Sequence, residues 1–566
     1  MSGPYIENIE FQIMNEEQQQ LLGLLDNEID MTFDEVPLSL IEVADKADNI
    51  ELSYALKNGY GALFVNCEKY PLNITAFRRA LAFALDKEAI SDDVFEGLSQ
   101  PLDSIVPSQN AWSIEGQLPY TYYESNVEIG LSLLDDAGFH DIDSNGFREA
   151  PDGSSFQVTI ECYTIDTALQ VGSLTADALR ALGINAVSVP ADFYEYLHRL
   201  YYHGDYDIVF FDLTFSNYDL DWMGYEFLSE YADVPFRNLF NLRNTTVDYW
   251  SYALTHARTF EEVQEPVEEL QKVLIYECPM IICYQNWFVN AYRTDRFEGF
   301  IDIQSNNWWT YFNVKLKESL GGPYGGTIRC GIMNIDTLNM MLAGSVSDWE
   351  ILNLLYDSLV KLDPNNNDLN WLCEGYTVHT HKDNPNVPDG HSRITFEIVQ
   401  NATWTDGTPL TADDVAFTLN YRRNIQGAAD SPDFAGIAAA YAPTPYLVVV
   451  EFSTESIWNL HQIAYKPILP KHIFQEIGVD NWNTWNPNPP AEPMVTSGPF
   501  NISEYIRGEF IEMTRYDGYF RGLDYNDTGG ETETTTTPNL IPALVVATIS
   551  AAVTVAIGGY TIKKKL

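Results

Sequence analysis

The stretch GGPYGG at 321–326 restricts the possible folds of this chain more than any other feature. Ahead of it, strand and helix patterns alternate. IENIEFQIM reads as a strand and QQQLLGLLDNEID as a helix, and GALFVN (61–66) is a short apolar strand. TAFRRALAFALDKEAISDDVFEG then places Phe77, Leu81, Ala84 and Leu85 at helical spacing. VEIGLSLLDDAGF is a helix ended by Gly138, FQVTIECYTI a strand, SLTADALRALGI a helix, and NAVSVPAD and YDIVFFDLTF are strands. Residues 263–292 predict a helix leading into an apolar strand. The glycines and proline of GGPYGG stop the pattern. It restarts with strand GTIRCGIM, helix WEILNLLYDSLVKL, strand RITFEIV and a helix from TADDVAFTLNYRR, with Thr411 as N-cap and Asp413 and Asp414 in the first turn. Such alternation predicts an α/β fold. A chain of 566 residues is too long for one core and splits into lobes. The parts on either side of GGPYGG do not resemble each other, so they are different pieces of one fold rather than repeats.

Several stretches carry a family resemblance. GGTIRCGIMNIDTLN (325–339), ILNLLYDSLVKLD (351–363), ITFEIVQNATWTDGTPLTADDVAFTL (394–419), PILPKHIF (467–474) and TSGPFNISEYIRGEFIEMTRYDGYFRG (496–522) resemble the N-terminal part of the extracellular solute-binding proteins of ABC importers, the oligopeptide/dipeptide-binding family 5. GPYIENIEF, LLGLLDNEIDM, GALFVN, FRRALAFALDKEAISDDVFEGL, LLDDAGF and ALRALGINAVSV, within residues 3–315, resemble the rest of that family in order. In the family, YFRG-like residues run directly into a GPYIENI-like segment. Here YFRG ends at Gly522 and GPYIENI begins at Gly3. Joining 327–522 to 3–320 restores one complete binding protein. The order is therefore expected to be a circular permutation closed by GGPYGG, which termini lying close together on a surface make feasible. A fragment of a longer tandem protein is the other reading.

The resemblance implies an α/β, two-lobed periplasmic-binding-protein-like fold (type II, large cluster C form) closing on a solute. Residues 66–285 are expected to form the small lobe. Residues 1–65, 286–320 and 327–523 form the large one, with crossings near Asn66 and Tyr284–Asn286. The implied partners are a small organic ligand, either an oligopeptide or an oligosaccharide, and an ABC transporter permease. The alternative is a cell-surface structural, adhesion or glycan-binding protein reusing the fold without transport. In peptide-binding members a W-x-x-D-x-x-D-P-like stretch supplies an Asp to the peptide α-amine. The corresponding FSNYDLDWMGY (215–225) places Tyr218 at that Asp and Asp221-Trp222 at the Asp-Pro pair, with Asp219, one residue off, as a substitute. Tyr218, Trp222 and Trp404 offer aromatic faces for sugar rings or peptide side chains. Ser497-Gly498-Pro499 is a small turn whose backbone can reach a ligand, and Asn66 marks the crossing.

Other motifs point away from chemistry. Asp406-Gly407 reads as a turn, and Asp413 and Asp414 as a helix start, rather than as a carboxylate or metal site. DIDSNGFREAPD places Asp141, Asp143 and Asn145 at the first three ligand positions of a calcium loop, but position 12 is Asp152 rather than Glu and a strand follows. An Asx/Gly-rich turn is the expected reading. His379 and His381 share the face of a strand. There is no GxSxG, HExxH or P-loop, so neither enzyme activity nor a cofactor is expected.

Charge excludes one class of partner. With 81 Asp+Glu against 31 Lys+Arg, a formal −50, the chain lacks the clustered cations that nucleic acid requires. The six cysteines form no CxxC pair and are expected to be buried thiols, with a Cys278–Cys283 disulfide as the alternative. The N-terminal MSGPYIENIEFQIMNEE has neither a basic segment nor an apolar core and is not expected to be a secretory signal. Residues 524–539 read as a Thr-rich stalk. Residues 540–562, uncharged, mostly apolar and followed by Lys563–Lys565, are long enough to cross about 30 Å of hydrocarbon. The expectation is a C-terminal transmembrane helix, a single-pass anchor in the cell membrane with the bulk of the chain extracellular.

Overall fold

The strand Asn8–Ile13 alternates in burial, with Ile9 and Phe11 fully enclosed. It needs a partner on each edge. On one side it runs parallel to Thr327–Ile332, and on the other antiparallel to Phe510–Arg515. Segments from the beginning, middle and end of the ordered chain thus lie side by side, and Ile328, Cys330, Ile332, Ile511 and Met513 share a core with Ile9 and Phe11. The computed structural model describes residues 3–215, 217–235, 237–301, 308–364, 367–425, 428 and 431–523. The GGPYGG turn is pinned beside the first strand: Tyr324 stacks on Tyr5 at 5.7 Å, and Gly325 N–H donates to Tyr5 O at 3.0 Å.

These strands belong to a 12-stranded mixed sheet. Its spine is Met280–Arg293, whose 14 residues serve two neighbourhoods. The first part pairs with Gly59–Val65, and the second, from Trp287, pairs with Ile50–Leu56. Beyond Gly59–Val65 come Ile208–Thr214, Val158–Tyr163 and Ala186–Ala191, the last two parallel and joined by helix Asp166–Ala181. The chain therefore crosses between neighbourhoods at Lys57–Asn58 and Gln285–Asn286. The apolar strand Gly59–Val65 is entered from the polar pair Lys57-Asn58, and Asn66, the expected crossing point, directly follows it.

Each side of the crossing has its own core. One is built around Phe77, Leu81, Val158, Ile160 and Leu179, and a second around Tyr60, Phe64, Val209, Leu254 and Leu274. The largest contains Phe11, Trp308, Tyr311, Trp371, Phe396 and Trp404. It is capped by a separate antiparallel sheet of Cys373–Thr380, Ser392–Ile398, Leu447–Phe452 and Ile437–Thr444. Helix Ala412–Asn424 starts as expected at Thr411, whose backbone N–H donates to Asp414 Oδ2 at 2.9 Å.

No helix among the described residues is long and apolar enough to cross a membrane. The expected stalk and the expected span at 540–562 lie outside the described residues. The expected C-terminal transmembrane helix and single-pass membrane anchor thus find no support among the described helices. All six cysteines are free, so Cys278 and Cys283 form no disulfide. The Cys278 thiol instead donates to Ile275 O at 3.0 Å, and burial pushes its pKa up to about 11.

One fully buried carboxylate ties the large core to the spine. Asp30 accepts from Arg329 backbone N–H at 2.9 Å, from Arg329 Nε and Nη2 at 3.0 Å each, and from Arg296 Nη1 at 2.9 Å. It fixes Met31–Thr32 between Cys330–Gly331 and Tyr292. Asp30→Asn removes the charge and leaves two arginines facing a neutral group. The expected loss is ~2–4 kcal/mol, below the full buried-pair cost because both guanidinium groups reach solvent. Urea unfolding checks this, and a change under 1 kcal/mol contradicts the assignment.

Candidate functional site

The crossing is polar where a core would be apolar. Lys57, directly after strand Ile50–Leu56, reaches Asp212 in the middle of the apolar strand Ile208–Thr214 and forms an ion pair with it. Tyr284 O–H donates to the other oxygen of Asp212 at 3.0 Å. Glu35, just past strand Met31–Thr32, accepts from Asn286 Nδ2 at 3.4 Å. Burial pushes the Glu35 carboxyl up to about 7; Lys57 opposes the shift, while Asp212, Glu17 and Asp34 add to it. Asp34 is pushed up to about 6 by burial against hydrogen bonds from Gln20 and the Met333 N–H. Glu17 is raised by burial and by Asp34. For Lys57, burial works against the charge, but Asp212 and Glu35 prevail and its pKa is raised.

From there a polar track leads to the expected ligand stretch. Gln285 Nε2 donates to Lys57 O at 2.8 Å and to Gln109 Oε1 at 2.5 Å. Gln109 also hydrogen-bonds the Tyr218 side chain, and Asn110 Nδ2 donates to Tyr218 O at 3.0 Å. Asp219 pairs with His461 Nδ1 at 2.8 Å, and His461 Nε2 meets Asp368 at 3.0 Å. Burial works against a charged His461, but the hydrogen bonds to the two carboxylates outweigh it and push its pKa up to about 10. One residue on, Gln462 Nε2 donates to Asp221 at 3.4 Å and to Tyr225 Oη at 3.1 Å. Burial, with Asp219 nearby, pushes Asp221 up to about 6. Trp222 stacks on Phe215 at 4.8 Å.

Leu220 belongs to one core, whereas Leu460 and Ile463 of helix Asn459–Ala464 belong to another. The 217–225 segment and this helix therefore form a clasp across the crossing. Trp458 strengthens it by burying its ring in the opposite core and donating Nε1–H to Leu254 O at 2.9 Å.

The structure brings Tyr218, Asp219, Asp221 and Trp222 together on this clasp and places the other candidates elsewhere. Trp404 is enclosed in the large core. Ser497 Oγ accepts from Asp357 N–H at 2.9 Å, and a Cβ on Gly498 would lie 2.2 Å from Leu354 O, so this turn seals a backbone contact. Asn66 donates to Gly204 O at 2.7 Å and Tyr206 O at 3.0 Å, which spends its amide on loop anchoring. Asp141 and Asp143 converge with Glu149, all three offering an oxygen within 4.8 Å of one another, whereas Asn145 N–H closes the loop onto Asp141 at 3.1 Å. Asp406 accepts from Thr408 N–H at 2.9 Å, the expected turn. Sequence reasoning missed Glu35, Lys57, Asp212, Asn286, His461 and Asp368. The available signal was a charge set inside apolar runs, as in IVFFDLT.

The family profile described as bacterial extracellular solute-binding proteins, family 5 Middle, matches residues 2–233 and 369–529, more than half of the chain. The chain belongs to this family, a family of binding proteins and not of enzymes. The probable peptide-binding protein YejA of Agrobacterium fabrum is 29% identical over 224 residues, 38% of this chain and 33% of that protein. Oligopeptide-binding protein AppA of Bacillus subtilis is 28% identical over 224 residues, 38% of each. The chain thus spans little more than a third of the length of these curated relatives. The periplasmic oligopeptide-binding structure of an oligopeptide ABC transporter from Thermotoga maritima aligns with a TM-score of 0.47 at 22% identity, covering 54% of this chain and 62% of that one. These matches establish the family; they do not support a circular permutation as the origin of the segment order.

The clasp has a definite pH signature. A raised His461 pKa contributes stability that is full below its ordinary 6.5 and is lost as pH rises through about 10. Asp368, where burial opposes but His461 prevails, is lowered, so its contribution is lost only in acid below its ordinary 3.8. His461→Ala is expected to cost about 2–5 kcal/mol between pH 4 and 6.5, shrinking towards pH 10. Urea unfolding at pH 5.5, 8 and 10 measures it, and a cost that grows with pH contradicts the clasp.

Proposed function

We propose that this chain captures a small peptide in a cleft between two lobes and presents it to an ABC-type permease for import. The small lobe is taken as the part between the crossings, about 59–284, and the large lobe as the remainder up to 523. Tyr218, Asp219, Asp221 and Trp222 face the ligand from the small lobe. Asn66, Trp404, Ser497 and Gly498 hold the scaffold.

The observation that carries this reading is the line of charged and amide side chains from Glu35 and Lys57 through Gln109 to Asp219 and His461. It lies along the crossing, where one strand serves both sides. Burying that many polar groups costs stability and is common where proteins bind or react. Hinged lobes that close over such a line form a solute trap. The family membership and the names of the relatives, both peptide-binding, favour peptides over the oligosaccharide reading.

A thermal-shift screen of the purified chain against a di- to pentapeptide library tests the proposal. At a hundredfold excess over Kd a peptide adds about 2.7 kcal/mol, about 2–3 degrees in Tm for a chain of this length. Stabilisation by oligosaccharides and by no peptide would reassign the ligand.

A further inference from the structure

The carboxylates around the crossing outnumber the cation set against them. Lys57 is paired with Asp212, and Tyr284 O–H takes the second oxygen of Asp212. Among the described residues Glu35 has one hydrogen bond, from Asn286 Nδ2, and the attraction of Lys57, while Asp34 and Glu17 add negative charge from its own segment and from helix Glu17–Leu25. Asp34 has Gln20 Nε2 and the Met333 N–H. A second, independent observation comes from Asn286 itself. It is 5% exposed, and its Oδ1 has no hydrogen-bond partner among the described residues. The contact to Glu35 uses Nδ2, so the unpartnered Oδ1 sits on the same amide head beside that carboxylate. A buried acceptor left in this state is costly and calls for a donor.

The two acceptors together, one charged and one neutral, match a group that carries both positive charge and several N–H donors. A metal ion fits poorly: calcium wants six to eight oxygens, and Lys57 stands next to the site. The carboxylate aligned near the family's amine-binding Asp is not open either, because Asp219 is held by His461 at 2.8 Å.

We propose that Glu35 and Asn286 Oδ1 together receive the protonated amino group of the cleft ligand, so that this chain selects solutes with a free primary ammonium at the crossing rather than at Asp219. The inference rests on the peptide-capture reading and specifies which part of the peptide is held. The ammonium donates to the Glu35 carboxylate and to Asn286 Oδ1, while Lys57 stays neutralised by Asp212. Tyr163, at the end of strand Val158–Tyr163, feels the Glu35 charge, and Tyr284 lies on Asp212. Glu35 titrates near 7, with Asp34 near 6 and Glu17 also raised, so protonation in mild acid removes the charge that the ammonium needs.

The test uses the purified chain and two tripeptide libraries free of Lys, Arg and His, one with free α-amines and one N-acetylated. The free-amine library is expected to bind wild type at least tenfold more tightly, weakening by up to tenfold per pH unit below 7. Glu35→Gln is near-isosteric, removes an unfavourable partly buried charge and is expected to fold. It should bind both libraries alike and without that pH dependence. Discrimination that survives Glu35→Gln or is absent from wild type overturns this inference and leaves peptide capture standing. Binding of neither library overturns both. Stabilisation by CaCl2 alone that Glu35→Gln abolishes reassigns the pocket to a metal ion and also overturns the inference.

Discussion

The strand Met280–Arg293 is the constraint on which the rest depends. Its first residues are locked to Gly59–Val65 and its last to Ile50–Leu56, so the cores on either side of the crossing share one backbone ladder. A ladder of this kind resists sliding, because a one-residue slip would turn every inward side chain outward. At the point where partners change, the structure has Gln285 and Asn286 facing Lys57 and Asn58, polar groups on both crossing segments. The proposed closure of two lobes places its joint there.

Two carboxylates near the crossing differ in how their charge is met. Asp30 is fully buried and saturated by two arginines and a backbone N–H, so its charge is repaid by contacts within the fold. Glu35 lies five positions along, half-buried, with one long amide contact and three other carboxylates influencing it. Burial penalises both ions, but only Asp30 has enough donors to offset the penalty. A site that is left short of donors costs folding free energy and gains affinity when a ligand supplies them.

The fold was legible where local signals agree with packing. Thr411 followed by Asp414 identifies the start of helix Ala412–Asn424, and the spacing of Phe77, Leu81 and Ala84 marks the buried face of helix Thr75–Ala84. Apolar runs such as GALFVN became strands because continuous hydrophobicity suits a strand covered on both faces. The site was less legible, since its contacts join distant positions: Asp219 and His461 are 242 residues apart. Nothing local distinguishes the histidine of NLHQIAY from a surface residue. The other four candidates, Trp404, Ser497, Gly498 and Asn66, are buried away from the clasp. An indole, a Ser-Gly turn and an asparagine suit a ligand as well as they suit a core, so the sequence alone does not tell the two settings apart.

The clasp and the crossing act on one equilibrium from opposite ends. His461 joins Asp219 to Asp368 in the ligand-free chain, so under the proposed capture part of the free energy of closure is intrinsic to the chain. A ligand shifts a two-state balance only by its differential affinity for the two states. With a standing clasp, the ligand has less of the closure to supply, and its binding energy remains available for discrimination. The cost is that an empty cleft closes more readily, which slows entry by the fraction of time spent open. The polar character of the clasp limits that cost. A buried apolar seam of the same area would hold harder, whereas charged and amide groups regain water when the lobes part. Trp458 sets an apolar ring across the same joint, buried in the core that holds Leu254 and tied to Leu254 O by its indole N–H.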